Sequence, residues 1–249
     1  MIYFIGAGPG DPELLTLKGK RILSMCEVVI YAGSLVNREI LSHSRPDAMV
    51  YDSARLHLGE IVKIMEEAYQ QGYSVARLHS GDPSLYGALR EQVEELKKRN
   101  IPFEIIPGVS SFQAAAARLR RELTVPGVTQ TVILCRFGGR TPVPEREKLR
   151  MLARHRATMI IFLSIEYLET VVQELSFSYP PETPVAVLHR VSYEDEEVVV
   201  GALGDIVEKV KDKSFTRQTL IVVGEVLGER FTASCLYCSS FSHRFREGS

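Results

Sequence analysis

From residue 2 to residue 106 the chain alternates short apolar runs with amphipathic helical stretches, and this alternation restricts it to an α/β fold with a mainly parallel sheet. The runs fall at residues 2–5, 28–31, 48–51, 74–79 and 103–106. Between the later ones, residues 58–69 carry Ile61, Ile64, Met65 and Ala68 at helical spacing. Residues 85–98 carry Leu89, Val93 and Leu96 on one face with charges opposite. Parallel sheets bind ligands beyond the carboxyl ends of their strands, so the segments that leave each strand hold the functional information.

Three of those exits are chemically unusual. The first run leads into Gly6-Ala7-Gly8-Pro9-Gly10-Asp11-Pro12, with a helical pattern beginning near Leu14. The fourth leads into Ser80-Gly81-Asp82-Pro83-Ser84-Leu85-Tyr86-Gly87, and the fifth into Pro107-Gly108-Val109-Ser110-Ser111. Glycine lets backbone approach a ligand closely and proline stiffens the loop. Together they describe a smooth, rigid wall along one edge of the sheet, with Asp82 free to accept a hydrogen bond. The third glycine of a dinucleotide fingerprint would fall at Asp11, whose carboxylate repels pyrophosphate, and Tyr31-Ala32-Gly33 supplies no acid at the end of the second strand. No Gly-Lys-Ser/Thr follows the first loop, which excludes a P-loop.

A chain of 249 residues with 45% hydrophobic content can bury a sizeable core in one large domain or two of modest size. Acids and bases nearly cancel, 31 against 30, which excludes the broad basic field of a non-specific nucleic-acid binder and leaves any anionic ligand to local arginines. The longest apolar runs, such as residues 158–163, are too short to span a bilayer, and the chain starts on a strand without a basic leader. The expectation is a soluble, cytoplasmic protein with neither a membrane nor a nucleic acid as partner. Of four cysteines, Cys26 and Cys135 sit singly in apolar patterns and read as core. Cys235-x-x-Cys238 with His243 imitates metal-ligand spacing but lacks a fourth ligand, so no metal site is assigned.

An alanine-rich helix around residues 114–117 ends in Arg118, Arg120 and Arg121, which read as solvated charges, and Pro126-Gly127 then punctuates the chain. The boundary is placed there: residues 1–123 form an N-terminal α/β domain, 124–233 a C-terminal α/β domain, and 234–249 a tail. In the second domain strands are expected at 131–135, 159–163, 185–188, 197–200 and 219–223. The third and fourth pair antiparallel across a turn at 193–195, which makes that sheet mixed. Residues 166–175 and 203–210 read as covering helices.

Taken together, the three glycine loops resemble those of the tetrapyrrole methylases, which transfer methyl from S-adenosylmethionine to porphyrin-type and corrin-type rings. Within that family, Thr129-Gln130-Thr131-Val132-Ile133-Leu134, Arg136 and Gly139-Arg140-Thr141-Pro142-Val143-Pro144 look like the branch that methylates C-11 of precorrin-4 or cobalt-precorrin-4. Tyr31-Ala32-Gly33-Ser34-Leu35-Val36 and the tail residues Leu236, Tyr237, Phe241, Ser242, His243 and Arg246 are similar to the same branch. The resemblance implies two α/β domains around a cleft, S-adenosylmethionine as cofactor, a tetrapyrrole substrate of the cobalamin route, and a homodimer. It also implies that Pro9 touches the cofactor and that Ser80, Gly81, Asp82 and Leu85 hold its adenosine and amino-acid ends. Ser110 and Ser111 would line the same pocket, and Leu163 and Val191 would close it from the second domain. Relatives acting earlier on the ring carry an aspartate near position 33 that is taken as a base. Gly33 stands here, and no catalytic side chain is assigned.

Methyl transfer from a sulfonium is an in-line displacement that needs the two carbons held close and collinear, and no nucleophilic side chain. A corrin-pathway ring carries several carboxylates, for which the planar fork of arginine is the natural partner. Arg55, Arg136 and Arg140 are the candidates, with Gly8 and Asp11 shaping the acceptor side. Methylation elsewhere on a corrin or porphyrin precursor, and a non-catalytic tetrapyrrole carrier, remain as alternatives.

Overall fold

The three central apolar runs of the first half, residues 2–6, 28–31 and 75–79, become strands buried on both faces, which is why they read as continuous rather than alternating, while the runs at 49–52 and 103–106 form the more exposed edges. The computed structural model describes residues 1–229, 233–234, 238–242 and 244–247. The chain forms two units: Met1–Ala115 with Arg190–Glu197, and Ala116–His189 with Val198–Ser249.

In the first unit, β1 (Ile2–Gly6), β2 (Val28–Tyr31), β3 (Met49–Asp52), β4 (Val75–His79) and β5 (Phe103–Ile106) make one sheet in the order β3-β2-β4-β1-β5. Every pairing in it is parallel. The strand period sorts the side chains. Ile2, Phe4, Val28, Ile30 and Val75 join Val62 and Met65 of α2 (Leu58–Gln70) and Val93 and Leu96 of α3 (Leu89–Lys98). Ile5, Val29, Tyr31, Ala76, Leu78 and Ile106 join Ile22 and Leu23 of α1 (Leu17–Leu23) on the other side. The border between the units falls inside α4 (Ser111–Leu119).

Two helices start later than their apolar patterns suggest. Pro12–Leu14 is a single 3-10 turn capped by Asp11, and α1 begins only after Thr16, whose hydroxyl accepts from the Gly19 amide at 3.1 Å. The helix expected from residue 85 starts at Leu89, because Tyr86 (φ 53°) and Ala88 (φ 47°) are left-handed and cannot continue a helical turn. His57 caps α2 in a reciprocal pair with Glu60.

The interior of the first unit contains a cation and an imidazole. Arg77, 6% exposed, donates from Nε to Gln92 Oε1 (3.1 Å) and from Nη1 to Ser53 Oγ (3.0 Å), while Ser53 donates to the Tyr31 carbonyl (3.1 Å). These bonds tie the ends of β2 and β3 to β4. His79 is equally buried, and its Nε2 has no partner among the described residues. Burial, reinforced by the charge of Arg77, pulls the His79 pKa down to about 3. Between pH 6.5 and 3 the unfolded chain therefore takes up a proton that the folded chain refuses, and stability falls as pH drops through that window, by up to about 1.4 kcal/mol per pH unit. His79→Leu is expected to flatten this slope in urea unfolding at pH 4 and pH 7. A slope equal to that of the wild type would contradict it.

In the second unit, β6 (Val132–Arg136), β7 (Thr158–Phe162), β8 (Pro184–His189), β9 (Glu197–Ala202) and β10 (Thr219–Val223) make a mixed sheet in the order β6-β7-β10-β8-β9. β8 and β9 are neighbours, as their sequence spacing suggests. β6 and β7 run parallel, and β10, the last strand among the described residues, is inserted antiparallel to both β7 and β8. Met159, Ile161, Val187, Ile221 and Val223 pack with Leu149 of α5 (Leu149–Leu152), Val171 and Leu175 of α6 (Leu168–Ser176) and Ile206 of α7 (Ile206–Val210).

Cys26 and Cys135 are core residues, and burial pushes both thiols up to about 12. Cys235 and His243 lie outside the described residues and Cys238 is a free thiol. Among the described residues no group of three His, Cys, Asp or Glu is placed to hold a metal. No helix among them is long and apolar enough to cross a membrane.

Candidate functional site

The strand order sets the exits of β4, β1 and β5 side by side at the carboxyl edge of the first sheet. The three loops are joined to one another. Ala7 donates to the His79 carbonyl (2.7 Å), and Gly8 and Gly81 exchange backbone hydrogen bonds at 3.3 and 2.7 Å. A Cβ on Gly6 would stand 2.5 Å from the Gly108 Cα and 2.7 Å from the Gly81 carbonyl oxygen. The glycines at these exits thus allow the loops to approach each other, where the sequence suggests approach to a ligand.

Asp82 is not a free acceptor. Its Oδ1 accepts from the Ser84 amide (2.8 Å) and hydroxyl, and its Oδ2 from the Gly108 amide (2.8 Å), so the carboxylate straps the β4 exit to the β5 exit. Burial pushes its pKa up, but the bonds from Ser84 and Gly108 outweigh burial and hold the carboxyl below its ordinary value. Leu85 donates its amide to the Asp82 carbonyl (3.2 Å). Ser110 is buried, with its amide on Gln113 Oε1 (2.9 Å), and its Cα lies 3.6 Å from the position a Cβ would take on Gly81. Ser80 and Ser111 are half-buried beside it.

The first loop has a cover that sequence reasoning missed. Asp11 donates its amide to Ser192 Oγ (3.0 Å), a Cβ on Gly10 would run into the Tyr193 ring, and the Tyr193 hydroxyl donates to the Leu35 carbonyl (3.2 Å). Gly8, Pro9 and Gly10 are all buried, and the Asp11 carboxylate caps the next turn through the Glu13 amide (2.8 Å). Val191, expected from the second domain, belongs with this segment to the first unit and is 4% exposed. Pro9, Ser80, Gly81, Asp82, Leu85, Ser110, Ser111 and Val191 therefore share one unit, while Leu163 does not.

At the exits of β2 and β3 another carboxylate was overlooked. Asp52 Oδ1 accepts from the Ala54 amide (2.9 Å) and the Gly33 amide (3.0 Å), and these bonds, in that order, hold its carboxyl below the ordinary value. A Cβ on Gly33 would collide with that carboxylate, so the space that a side chain at position 33 would fill is taken by Asp52. Arg55 is exposed three residues beyond the end of β3, on the edge of the sheet farthest from β5.

The second unit holds its own cavity, of about 220 Å³, at the carboxyl ends of β6 and β7 and the amino end of β10. Arg136, Arg140, Leu163, Tyr167 and the turn from Thr216 to Thr219 line it. Ser164 holds the two strand exits together, accepting from the Phe137 amide (2.8 Å) and donating to the Phe162 carbonyl (2.6 Å). Leu163 (φ 53°) and Gln218 (φ 62°) are left-handed without being glycine, a strain that clusters at working sites. Of the two arginines, Arg136 is committed to its own loop, donating to the carbonyls of Phe137 (3.2 Å), Thr141 (2.9 Å) and Pro142 (2.9 Å). These bonds make Arg136 a brace for the turn that carries Arg140, while it still lines the cavity.

Comparison with known proteins places this geometry. The sequence pattern of the tetrapyrrole (corrin/porphyrin) methylases matches residues 1–207. The chain is 52% identical over 248 residues to the cobalt-precorrin-4 C(11)-methyltransferase of Methanocaldococcus jannaschii, covering 99% of this chain and 96% of that protein. It is 50% identical over 248 residues to the precorrin-4 C(11)-methyltransferase of Pseudomonas aeruginosa, with 99% of each covered. The X-ray structure of a cobalt precorrin-4 methyltransferase superposes with a TM-score of 0.89 at 42% identity, over 91% of this chain and 95% of that one. The uroporphyrin-III C-methyltransferase of Thermus thermophilus, solved with S-adenosylhomocysteine, matches with a TM-score of 0.75 at 29% identity, over 91% and 92% of the two chains. With a parallel and a mixed five-stranded sheet in these arrangements and a match over most of its length, the chain belongs to the tetrapyrrole methylases.

Proposed function

We propose that this protein transfers a methyl group from S-adenosylmethionine to C-11 of precorrin-4 or cobalt-precorrin-4 during corrin ring biosynthesis. The observation that carries the reading is the end-to-end likeness, at half identity or more, to two relatives named for that one position on the ring. The joined exits of the first unit suit the cofactor. Residues 6–12, 80–87 and 107–111 contain no lysine or arginine, only the carboxylates of Asp11 and Asp82. A phosphate-bearing cofactor would want cations there, whereas a sulfonium is itself a cation. Ser80, Ser110, Ser111 and the loop backbone offer the hydroxyls and amides that a ribose diol and an amino-acid end require.

The cofactor supplies a methyl group already activated on sulfur. What remains for the protein is to hold donor and acceptor in line and to keep water away, and loops tied to one another by backbone bonds do this without side-chain motion. Cys26 and Cys135, both free, accord with work in the reducing cytoplasm. A homodimer is also proposed: Met49, Val50 and Tyr51 on the edge strand β3 are each more than a third exposed, an apolar edge that a second copy would cover.

Anaerobic incubation with S-adenosylmethionine and either metal-free or cobalt-loaded precorrin-4 is expected to add one methyl, placed at C-11 by NMR. Transfer to another carbon, or none to either ring, would overturn the assignment. Sedimentation at micromolar concentration reads the oligomeric state.

A further inference from the structure

The cavity of the second unit carries more positive charge than the sequence suggests, because a third arginine, Arg217, lines it with Arg136 and Arg140. Against these stands one acid, Glu166. Arg136 is bound to carbonyls of its own loop. Arg140 and Arg217 are exposed and make no hydrogen bond or ion pair with any described residue. Several other arginines are occupied: Arg45 pairs with Glu27 and Asp47, Arg99 with Glu66 and Glu95, Arg121 with Glu229, and Arg150 stacks on Phe177. What sets Arg140 and Arg217 apart is that both line one cavity.

The turn that carries Arg217 is also built to stay in place. Thr219 Oγ1 donates to the Thr216 carbonyl (2.9 Å) and meets His189 Nδ1 (2.8 Å), so both ends of the turn are anchored. Between them Gln218 is left-handed, a conformation that a non-glycine residue adopts at a cost. A solvated surface arginine needs no such support. On the opposite wall the brace of Arg136 fixes the Arg140 turn, and Gly139 lies against the Tyr167 ring, where any Cβ would collide.

We infer that Arg140 and Arg217 form a carboxylate-binding pair, with Arg217 the second fork of the clamp, that selects the substrate by acidic side chains on its ring. The inference rests on the tetrapyrrole reading for the identity of the ligand and on the cavity itself for the chemistry. Two unpaired guanidinium groups across a cavity lined by Tyr167 and Leu163 can take carboxylates in bidentate fashion while the apolar wall meets a flat ring edge.

The test compares wild type with Arg217→Ala, Arg217→Lys and the distant surface control Arg154→Ala. Steady-state kinetics with cobalt-precorrin-4 should give a KM raised about tenfold or more in Arg217→Ala, partly restored in Arg217→Lys and unchanged in Arg154→Ala. Affinity for S-adenosylhomocysteine should stay at the wild-type value in all of them. Independently of turnover, fluorescence quenching with the free acid of uroporphyrin should show salt-sensitive binding that Arg217→Ala weakens, and uroporphyrin octamethyl ester should not distinguish the two proteins. A wild-type KM and wild-type free-acid binding in Arg217→Ala would overturn the pair. If the wild type methylates neither ring yet binds the free acid through Arg217, the catalytic reading falls and the carboxylate pair stands.

Discussion

A Gly6→Ala variant is expected to lose about 3 kcal/mol of stability and, with it, most of its affinity for S-adenosylhomocysteine. The added methyl would stand 2.5 Å from the Gly108 Cα, 2.6 Å from its nitrogen and 2.7 Å from the Gly81 oxygen. All three are backbone atoms. No rotamer change relieves such contacts, so the exits of β1, β4 and β5 must separate. Gly72→Ala is the matched control, because Gly72 has φ 80° but nothing within 4 Å of the new methyl, so it carries only the left-handed penalty, about 1 kcal/mol. Urea unfolding and calorimetry on both variants decide the matter. Equal small losses, with cofactor affinity intact in Gly6→Ala, would show that the junction of the three loops has no bearing on the site.

Asp82→Ala should weaken S-adenosylhomocysteine binding by about tenfold or more, and Asp82→Asn should do no better. The reason is the division of labour between the two oxygens. Oδ1 faces the donors of Ser84 and Oδ2 faces the Gly108 amide, so an asparagine in either flip sets its own NH2 against an N–H donor. Glutamate retains two acceptors but displaces them by one methylene. Because the Asp82 pKa is held below its ordinary value, the strap is complete at neutral pH and is lost as the solution is acidified through that lowered value. Calorimetric titration at pH 7 separates this from a general loss of fold, provided that unfolding midpoints are measured on the same preparations. Full affinity in a folded Asp82→Asn would refute the strap.

Much of the fold was legible because its signals are local. Apolar runs of four to six residues alternating with helical faces located the ten strands of the described residues to within one or two residues. The three special exits were legible too, since glycine, proline and hydroxyl residues cluster there in the sequence. Their partners were not. Nothing near Gly6 says that Gly108 will lie against it, and nothing near Gly33 announces the carboxylate of Asp52. Arg136 and Arg217 show the same limit from opposite sides. One looked like a free fork and is bound to the carbonyls of residues 137, 141 and 142, while the other stands in no motif that singles it out and lines a cavity. The insertion of β10 between β7 and β8 is likewise a long-range pairing that no window of sequence contains.

The cover over the first loop bears on how the chain is made. Ser192 meets Asp11 across 181 residues, and the five parallel strands of the sheet from which the Asp11 loop leaves have all been synthesised by Ile106. At about 5–20 residues per second, Arg190–Glu197 leaves the ribosome only after a delay of several seconds, when β6, β7 and β8 have already been made. A gene cut after Ala115 would encode the whole parallel sheet and still leave Gly10 without the Tyr193 ring that lies over it. The first unit begins to form earliest and is finished by a hairpin tip that emerges late in translation.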